Sequence, residues 1–388
     1  MAFIRPIRTL MIGGGKGAFI GSVHRMAMRL DGHYALVGGA FSSRIAVAQE
    51  TGEELGLDPA RVSSDWQALL QDEAARPPEE QAELVSIVTP NHLHVPVAVA
   101  ALSAGFHVVS DKPAARDLSE ALELAEAVSN ARGIYALTHT YLGYPMVKEA
   151  RERVRRGDLG RIRSIDVRYP QGWLSAPIEN DNSKQASWRV DPALSGPAGC
   201  MGDIGTHAAT LAEYISGQSI EEVCANVRTV VDGRRLDDDG AVLLRFTGGA
   251  AGVLTASQIC NGEENALQIR IYGETGGLEW HQMEPQTLIY RQQGKPAQII
   301  RAGTDQEDLS EVAKLHCRLP AGHPEGYIEA FANIYTNVAH AISGSEQSAM
   351  RDVPGIACGL AGHQFVDAVL RSSNANSAWT KVEQGGPN

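Results

Sequence analysis

Three stretches of the chain hold the side chains that can do chemistry. They are a glycine-rich turn after the first apolar run (Leu10-Met-Ile-Gly-Gly-Gly-Lys-Gly-Ala-Phe-Ile-Gly21), the triplet Asp111-Lys112-Pro113, and Asp203-Ile-Gly-Thr-His207. Taking a hydride from a secondary alcohol requires a base for the hydroxyl proton and a donor that steadies the oxygen. Histidine titrates near neutrality and is the usual base. His207 follows Asp203 by four residues, which predicts both on one face of a helix. Asp203 then lies near that helix's start, where a carboxylate is favoured. In this reading His207 is the general base and Lys112 donates to the reacting oxygen. Asp203 either orients substrate hydroxyls or tunes the pair. No metal is expected. The Asp/His pair has no third ligand at a matching spacing, and His92 and His94 diverge.

The elements that must position these residues alternate. Residues 7–12 read as a buried strand and Phe19–Leu30 as a helix, with Phe19, Val23, Met26 and Leu30 towards the sheet. Tyr34–Phe41 is a second strand, followed by helical text to Leu57. Leu84–Thr89, Phe106–Ser110 and Gly133–Thr138 are further strands, separated by helices Val95–Ala104 and Leu118–Asn130. Such alternation implies a parallel sheet with right-handed crossovers. Ligands of such sheets bind beyond the carboxyl ends of the strands.

Those ends carry the candidate dinucleotide contacts. Gly13 and Gly15 suit a tight turn and a close pyrophosphate approach; the third glycine role falls to Ala18 or, in an expanded loop, to Gly21. The helix start at Ala18, Phe19 and Ile20 aims N–H groups at phosphate. Ser42-Ser43-Arg44 stands where an acid usually holds the NAD ribose. These residues can accept a 2′-phosphate. Alternatively the serines hold a bare ribose while Arg44 covers adenine or caps solvent. Thr89, Asn91 and His94 follow the third strand and face the cleft.

Thr138-His-Thr-Tyr-Leu-Gly-Tyr144 leads into helix Met146–Arg156, with Tyr141 placed to line the cleft. After strand Arg161–Tyr169, the polar stretch Pro170–Pro197 contains Trp173, Trp188 and Arg189; a loop of this length is usually functional. Its tryptophans can stack on a sugar face, and Arg189 can bind cofactor or substrate oxygens. Helix Gly202–Ile215 precedes strands Val223–Val231, Gly240–Phe246, Val253–Ile259 and Leu267–Tyr272, with Gly-Gly turns at 248–249 and 276–277. Short strands without long crossovers indicate a largely antiparallel sheet. In the loop Arg318–Tyr327, His323 and Tyr327 are candidates for the substrate pocket. Pro324–Ile342 is helical, with Tyr327, Phe331, Ile334 and Val338 on one stripe. Helix Val353–Leu370 is expected to pack back across the first domain, and the tail from Ser372 to fray.

The 388 residues suit two α/β domains, 1–140 and 141–388. A net charge of −12 argues against nucleic acid as a partner. No apolar run reaches the roughly 18 residues of a spanning helix. The opening Met-Ala-Phe-Ile-Arg-Pro-Ile-Arg lacks a full apolar signal segment, so a cytoplasmic location is expected. Cys200, Cys224, Cys260, Cys317 and Cys358 form no CxxC pair and indicate neither a disulfide framework nor a zinc site.

The glycine loop, Thr89-Pro-Asn-His-Leu-His94, Asp111-Lys112-Pro113 and Gly202-Asp203-Ile-Gly-Thr-His207, in this order, resemble the glucose-fructose oxidoreductase / inositol dehydrogenase (Gfo/Idh/MocA) family. The extended loop Gly13–Gly21 and Arg318–Tyr327 look like the branch containing scyllo-inositol and L-glucose dehydrogenases. The resemblance implies a Rossmann domain that binds NAD or NADP, here against Asp111, Lys112, Trp188 and Arg189 as well. It implies a second α/β domain with a large open sheet, whose exposed face makes homodimer or homotetramer contacts. The family's Glu-Lys-Pro triplet falls on Asp111-Lys112-Pro113, so the lysine is Lys112 and the shorter acid is a departure. A cis bond before Pro113 is implied too. The expected activity is reversible oxidation of a secondary hydroxyl of a cyclic polyol or sugar, with NAD as cofactor and NADP open. Two other readings are glycoside cleavage through a transient keto-sugar and a nonenzymatic dinucleotide-binding regulator. The regulator would not need Lys112, Asp203 and His207 together.

Overall fold

The computed structural model describes residues 5–181, 184–345, 352–383 and 385. Its first part runs β1 (Ile7–Gly13), α1 (Phe19–Leu30), β2 (Tyr34–Ala40), α2 (Ile45–Glu54), α3 (Trp66–Ala74), β3 (Leu84–Val88), α4 (His94–Ser103), β4 (His107–Ser110), α5 (Leu118–Asn130) and β5 (Tyr135–Leu137). The strands pair in parallel in the order β2-β1-β3-β4-β5. Every residue of β3 is buried, as a parallel strand covered on both faces requires. The chain steps from β1 out to β2 and then back past β1 to β3. A crevice therefore opens at the carboxyl ends of β1 and β3.

Apolar periodicity overlooks α3, whose buried residues are only Leu69, Leu70 and Glu73. On α1 it places Val23 correctly but misplaces the other three positions it turned to the sheet. Val23, His24, Ala27 and Met28 are buried, whereas Phe19, Met26 and Leu30 are exposed. Gly21 sets this rotation. A Cβ there would lie 2.4 Å from the Gly14 Cα, so Gly21 must face the loop.

The second part runs α6 (Pro145–Arg155), β6 (Ile162–Pro170), α7 (Lys184–Arg189), α8 (Pro192–Ser195), α9 (Thr206–Ser216), β7 (Ile220–Arg228), β8 (Asp239–Phe246), β9 (Ala251–Ser257), β10 (Gln268–Gly273), β11 (Gly276–His281), β12 (Thr287–Gln292), β13 (Gln298–Arg301), α10 (Glu311–Lys314), α11 (Tyr327–Ser343), α12 (Ile356–Asn374) and β14 (Thr380–Lys381). Its sheet has the order β13-β12-β11-β10-β6-β9-β8-β7-β14. Only β6 and β9 pair in parallel among these described strands. The expected fold class, a Rossmann sheet followed by an α/β domain with a large, mainly antiparallel sheet, is the one observed. Ile165, Val167, Leu244, Leu254 and Ile269 share a core with Met146, Ala208, Leu211 and Phe365 from the covering helices. The other face leaves Leu243, Val253 and Tyr272 exposed.

Two expectations fail here. Gly276 and Gly277 open β11 and make no turn; Cβ atoms there would lie 2.9 Å from Arg291 O and 3.0 Å from the Tyr272 ring, so close strand approach requires glycine. The described residues just beyond Ser372 are structured, where fraying was expected. α12 continues to Asn374, and β14 pairs with β7. Both late helices return to the first sheet. Phe331, Tyr335 and Val338 of α11 pack on Ile7, Met11, Val23 and Val109. α12 lies between the sheets, with Leu360 in one core and Phe365 and Val369 in the other. No helix among the described residues is long and apolar enough to cross a membrane.

Candidate active site

A cavity of 1130 Å³ runs from the carboxyl end of β1 to the edge of the second sheet. At the β1 end it is shaped by absent side chains. A Cβ on Gly13, whose φ is +88°, would lie 2.7 Å from Val88 O, and one on Gly15 would lie 2.6 Å from Phe41 O. The third close approach is Gly21 on Gly14, not Ala18. Gly15 N–H donates to Phe41 O at 3.1 Å, Lys16 N–H to Thr51 Oγ1 at 3.1 Å, and Arg25 to Gly14 O at 2.7 Å. The loop is thus held from three sides. No side chain caps α1, so its first N–H groups stay available to an anion in the cavity. Ala18, Phe19 and Ile20 line it there.

Ser42, Ser43 and Arg44 line the same end, beside Val47, Ser64 and Trp66. Thr89, Asn91 and His92 line its middle, and the Thr89 hydroxyl and His92 Nδ1 are buried without a partner. A glycine cradle and unpartnered polar atoms fit a dinucleotide. His94 does not line the cavity. Its Nδ1 lies 2.6 Å from Pro113 O and its Nε2 2.9 Å from Thr89 O. It braces two loops, because its place in the first turn of α4 points it behind them.

Lys112, Asp203 and His207 meet at the far end. Lys112 Nζ donates to Asp203 Oδ1 at 2.8 Å, and Gln258 Nε2 donates to Asp203 Oδ2 at 2.8 Å. Arg189 Nε stands 3.7 Å from Asp203 Oδ2. Burial opposes the charge on Asp203, yet Lys112 and then Arg189 hold its carboxyl well below the usual carboxylate range. For His207, burial followed by the Lys112 charge lowers the pKa well below the ordinary imidazole value, so the ring is neutral.

Asp203 and His207 do not share a regular helical face. Asp203 sits in a π turn, Met201–Gly205, that precedes α9. The extra residue in this turn points Asp203 at Lys112 and Gln258, while His207 turns to His139. Single π turns are frequent at functional sites. The Asp237 carboxylate anchors the turn by accepting from Gly199 and Met201 N–H, each at 2.7 Å. The peptide bond between Lys112 and Pro113 is cis. The shorter Asp111 accepts from Thr138 Oγ1 at 2.9 Å and lies 3.8 Å from His24 Nε2. Burial would raise its pKa, but His24 holds it below the usual range.

Tyr141, Trp173, Trp188 and Arg189 all line the cavity. The Tyr141 ring meets His207 edge-on at 5.1 Å. Arg189 lies over Trp188 at 4.2 Å and Trp173 at 5.9 Å. His323 is a correction. It is exposed, beside Pro320 O, and outside the cavity. Glu325 ties down the Arg318 and Leu319 N–H groups at 2.7 and 3.0 Å, which folds the loop away, and Tyr327 of α11 lines the cavity instead.

Sequence reasoning missed a polar wall at the strand ends of the second sheet. Tyr169 donates to Asn265 Oδ1 at 2.6 Å, Gln171 donates to the same oxygen at 2.7 Å, and Trp173 donates to Gln171 Oε1 at 3.0 Å. The available signal was a polar residue just past an alternating strand, as at Gln171 and Gln258. Among the described residues no group of three His, Cys, Asp or Glu could hold a metal.

Two family descriptions match the chain. Residues 7–139 match the oxidoreductase family with an NAD-binding Rossmann fold, and residues 147–279 the GFO/IDH/MocA C-terminal domain. An uncharacterized oxidoreductase of Bacillus subtilis, YfiI, is 32% identical, with 98% of each chain covered. The levoglucosan dehydrogenase of Pseudarthrobacter phenanthrenivorans is 29% identical over 69% of this chain and 72% of its own. A crystal structure of an inositol dehydrogenase homologue from Azotobacter vinelandii, complexed with NADH and myo-inositol, superposes with a TM-score of 0.90 at 34% identity, covering 97% of this chain and 98% of that one. With its Rossmann sheet, its open second sheet and a relative matched end to end, the chain belongs to the GFO/IDH/MocA oxidoreductase family.

Proposed function

We propose that this protein is an NAD-dependent dehydrogenase that reversibly oxidises a secondary hydroxyl of a cyclic polyol or pyranose. The observation that carries the reading is the Lys112–Asp203 pair at 2.8 Å beside His207, in the same cavity as the glycine cradle. Residues 1–140 hold the dinucleotide and 141–388 supply most of the substrate side. When bound, the cofactor supplies the hydride acceptor. Gly13, Gly15 and the α1 N-terminus hold its phosphates; Ser42, Ser43, Arg44, Thr89 and Asn91 line its path. His207 takes the hydroxyl proton. Lys112 donates to the oxygen as negative charge grows there. Asp203 keeps Lys112 aimed.

The polar wall of Tyr169, Gln171 and Asn265, with Trp173 and Trp188, suits a ring bearing adjacent hydroxyls. Myo-inositol bound to the Azotobacter homologue and the levoglucosan activity of the second relative support cyclic substrates. The serine-lined β2 tip and the NADH in that homologue support NAD over NADP. A second copy docks on the open sheet face that carries Leu243, Val253 and Tyr272, giving a homo-oligomer. The test is an absorbance assay of reduced nicotinamide with NAD and NADP against a panel of inositols, hexoses and anhydrosugars. Net NADH formation with a panel member is expected. Sugar release without net NADH would replace this reading with the glycoside-cleaving one.

A further inference from the structure

We infer that His139 is the positioning residue that decides which ring nitrogen of His207 faces the cleft; the inference rests on His207 being the base proposed above. His139 follows β5 and is buried behind His207, outside the cavity lining. The two rings meet through Nδ1, 3.4 Å apart, with their planes at 88°. Tyr141 and Tyr169 pack against other parts of the His207 ring. This leaves Nε2 as the His207 nitrogen for the cleft.

Two neutral imidazoles that meet nitrogen to nitrogen share a single proton. If His207 carries it, Nδ1 donates to His139 and Nε2 presents a lone pair to the substrate hydroxyl. If His139 carries it, the His207 proton sits on Nε2, and the ring cannot accept another there without first losing it. Only the first arrangement serves a base. The charged or titratable groups around the pair are Lys112, Asp111, Asp203 and His363, with the Tyr141 and Tyr169 phenols against the His207 ring. Burial, then Lys112, pushes His139 down to about 4, so both rings are neutral and the sharing argument applies. When Nε2 takes the hydroxyl proton, the O–H bond breaks, an Nε2–H bond forms, and the electron pair stays on oxygen. The Nδ1–H contact to His139 then becomes charge-assisted and stronger. His139 thus fills the orienting place that a carboxylate holds behind the histidine of many hydrolases.

The test is nitrogen NMR of the histidine-labelled full-length protein without substrate, with the His207 signals identified by their loss in His207→Asn. We expect His207 protonated at Nδ1 and bare at Nε2. His139→Asn keeps an acceptor near the Nδ1 position and should preserve that state. His139→Leu should move the proton to Nε2 and lower kcat by about 10–100-fold, as loss of an orienting partner does, with NADH affinity unchanged. A wild-type His207 protonated at Nε2 overturns the inference, as does a His139→Leu protein with unaltered tautomer and kcat. Should His139→Leu fail to fold, the wild-type spectrum decides alone. Failure of the base assignment is distinguishable, because it would show as retained turnover in His207→Ala whatever the tautomer.

Discussion

On the β1 side of the cleft the site is made by side chains that are missing; on the side of the second sheet it is made by side chains that hold one another. Gly13, Gly15 and Gly21 are needed because carbonyls and backbone crowd where a Cβ would stand. Asp203, by contrast, is positioned by Lys112 and Gln258, and Tyr169 and Gln171 converge on Asn265. The first region fails when atoms are added and the second when they are removed. The first should therefore fail in binding and the second in turnover.

Of the two regions, the second should show the larger effect. Lys112→Ala should lower kcat by roughly 10²–10³, the usual loss for a donor to a developing oxyanion. Lys112→Arg should restore little, because a broad planar fork replaces a compact ammonium. Steady-state kinetics of both variants check this. Normal turnover in the arginine variant would mean that Lys112 acts as remote charge.

Next comes the glycine side. Gly13→Ala combines an unfavourable φ with a 2.7 Å approach to Val88 O. Strain of about 1–3 kcal/mol corresponds to a loss of NADH affinity on the order of 10–100-fold, read by fluorescence titration. The turnover of whatever complex forms should change much less. A kcat loss with unaltered affinity would erase the contrast between the regions.

The smallest effect tests the corrected residue. His323→Ala should change kcat and KM by no more than about twofold, as exposed positions do when stability shifts by under about 0.5 kcal/mol. A tenfold rise in substrate KM would return that loop to the site.

The same contrast explains what could be read from the chain. A backbone cradle is a local pattern, so Gly13, Gly15 and the start of α1 were legible as consecutive text. Lys112 and His207 were legible because each lies in a short motif. The partners Gln258, Asn265 and His139 were not, since each is an ordinary polar residue until folding brings it to Asp203, Tyr169 or His207. Periodicity placed most strands and helices. It failed at α1, where the Gly21 contact overrode it, and the Gly-Gly turn signal failed at Gly276–Gly277, which open β11. The π turn at Met201–Gly205 was equally hidden, because Asp203 and His207 keep helical spacing in the text. His94 misled because a loop histidine beside a cleft looks like a ligand contact, and only the carbonyls of Thr89 and Pro113 show it to be a brace.

The claim that chemistry and dinucleotide binding reside in separate halves of the cleft meets its most direct test in His207→Ala. NADH affinity and the single-turnover rate are measured on the same preparation. The account predicts a rate lowered by roughly 10²–10⁴, the span of general-base contributions, with NADH affinity within about twofold of the unmodified protein. A near-normal rate, or affinity and rate lost together, would contradict it.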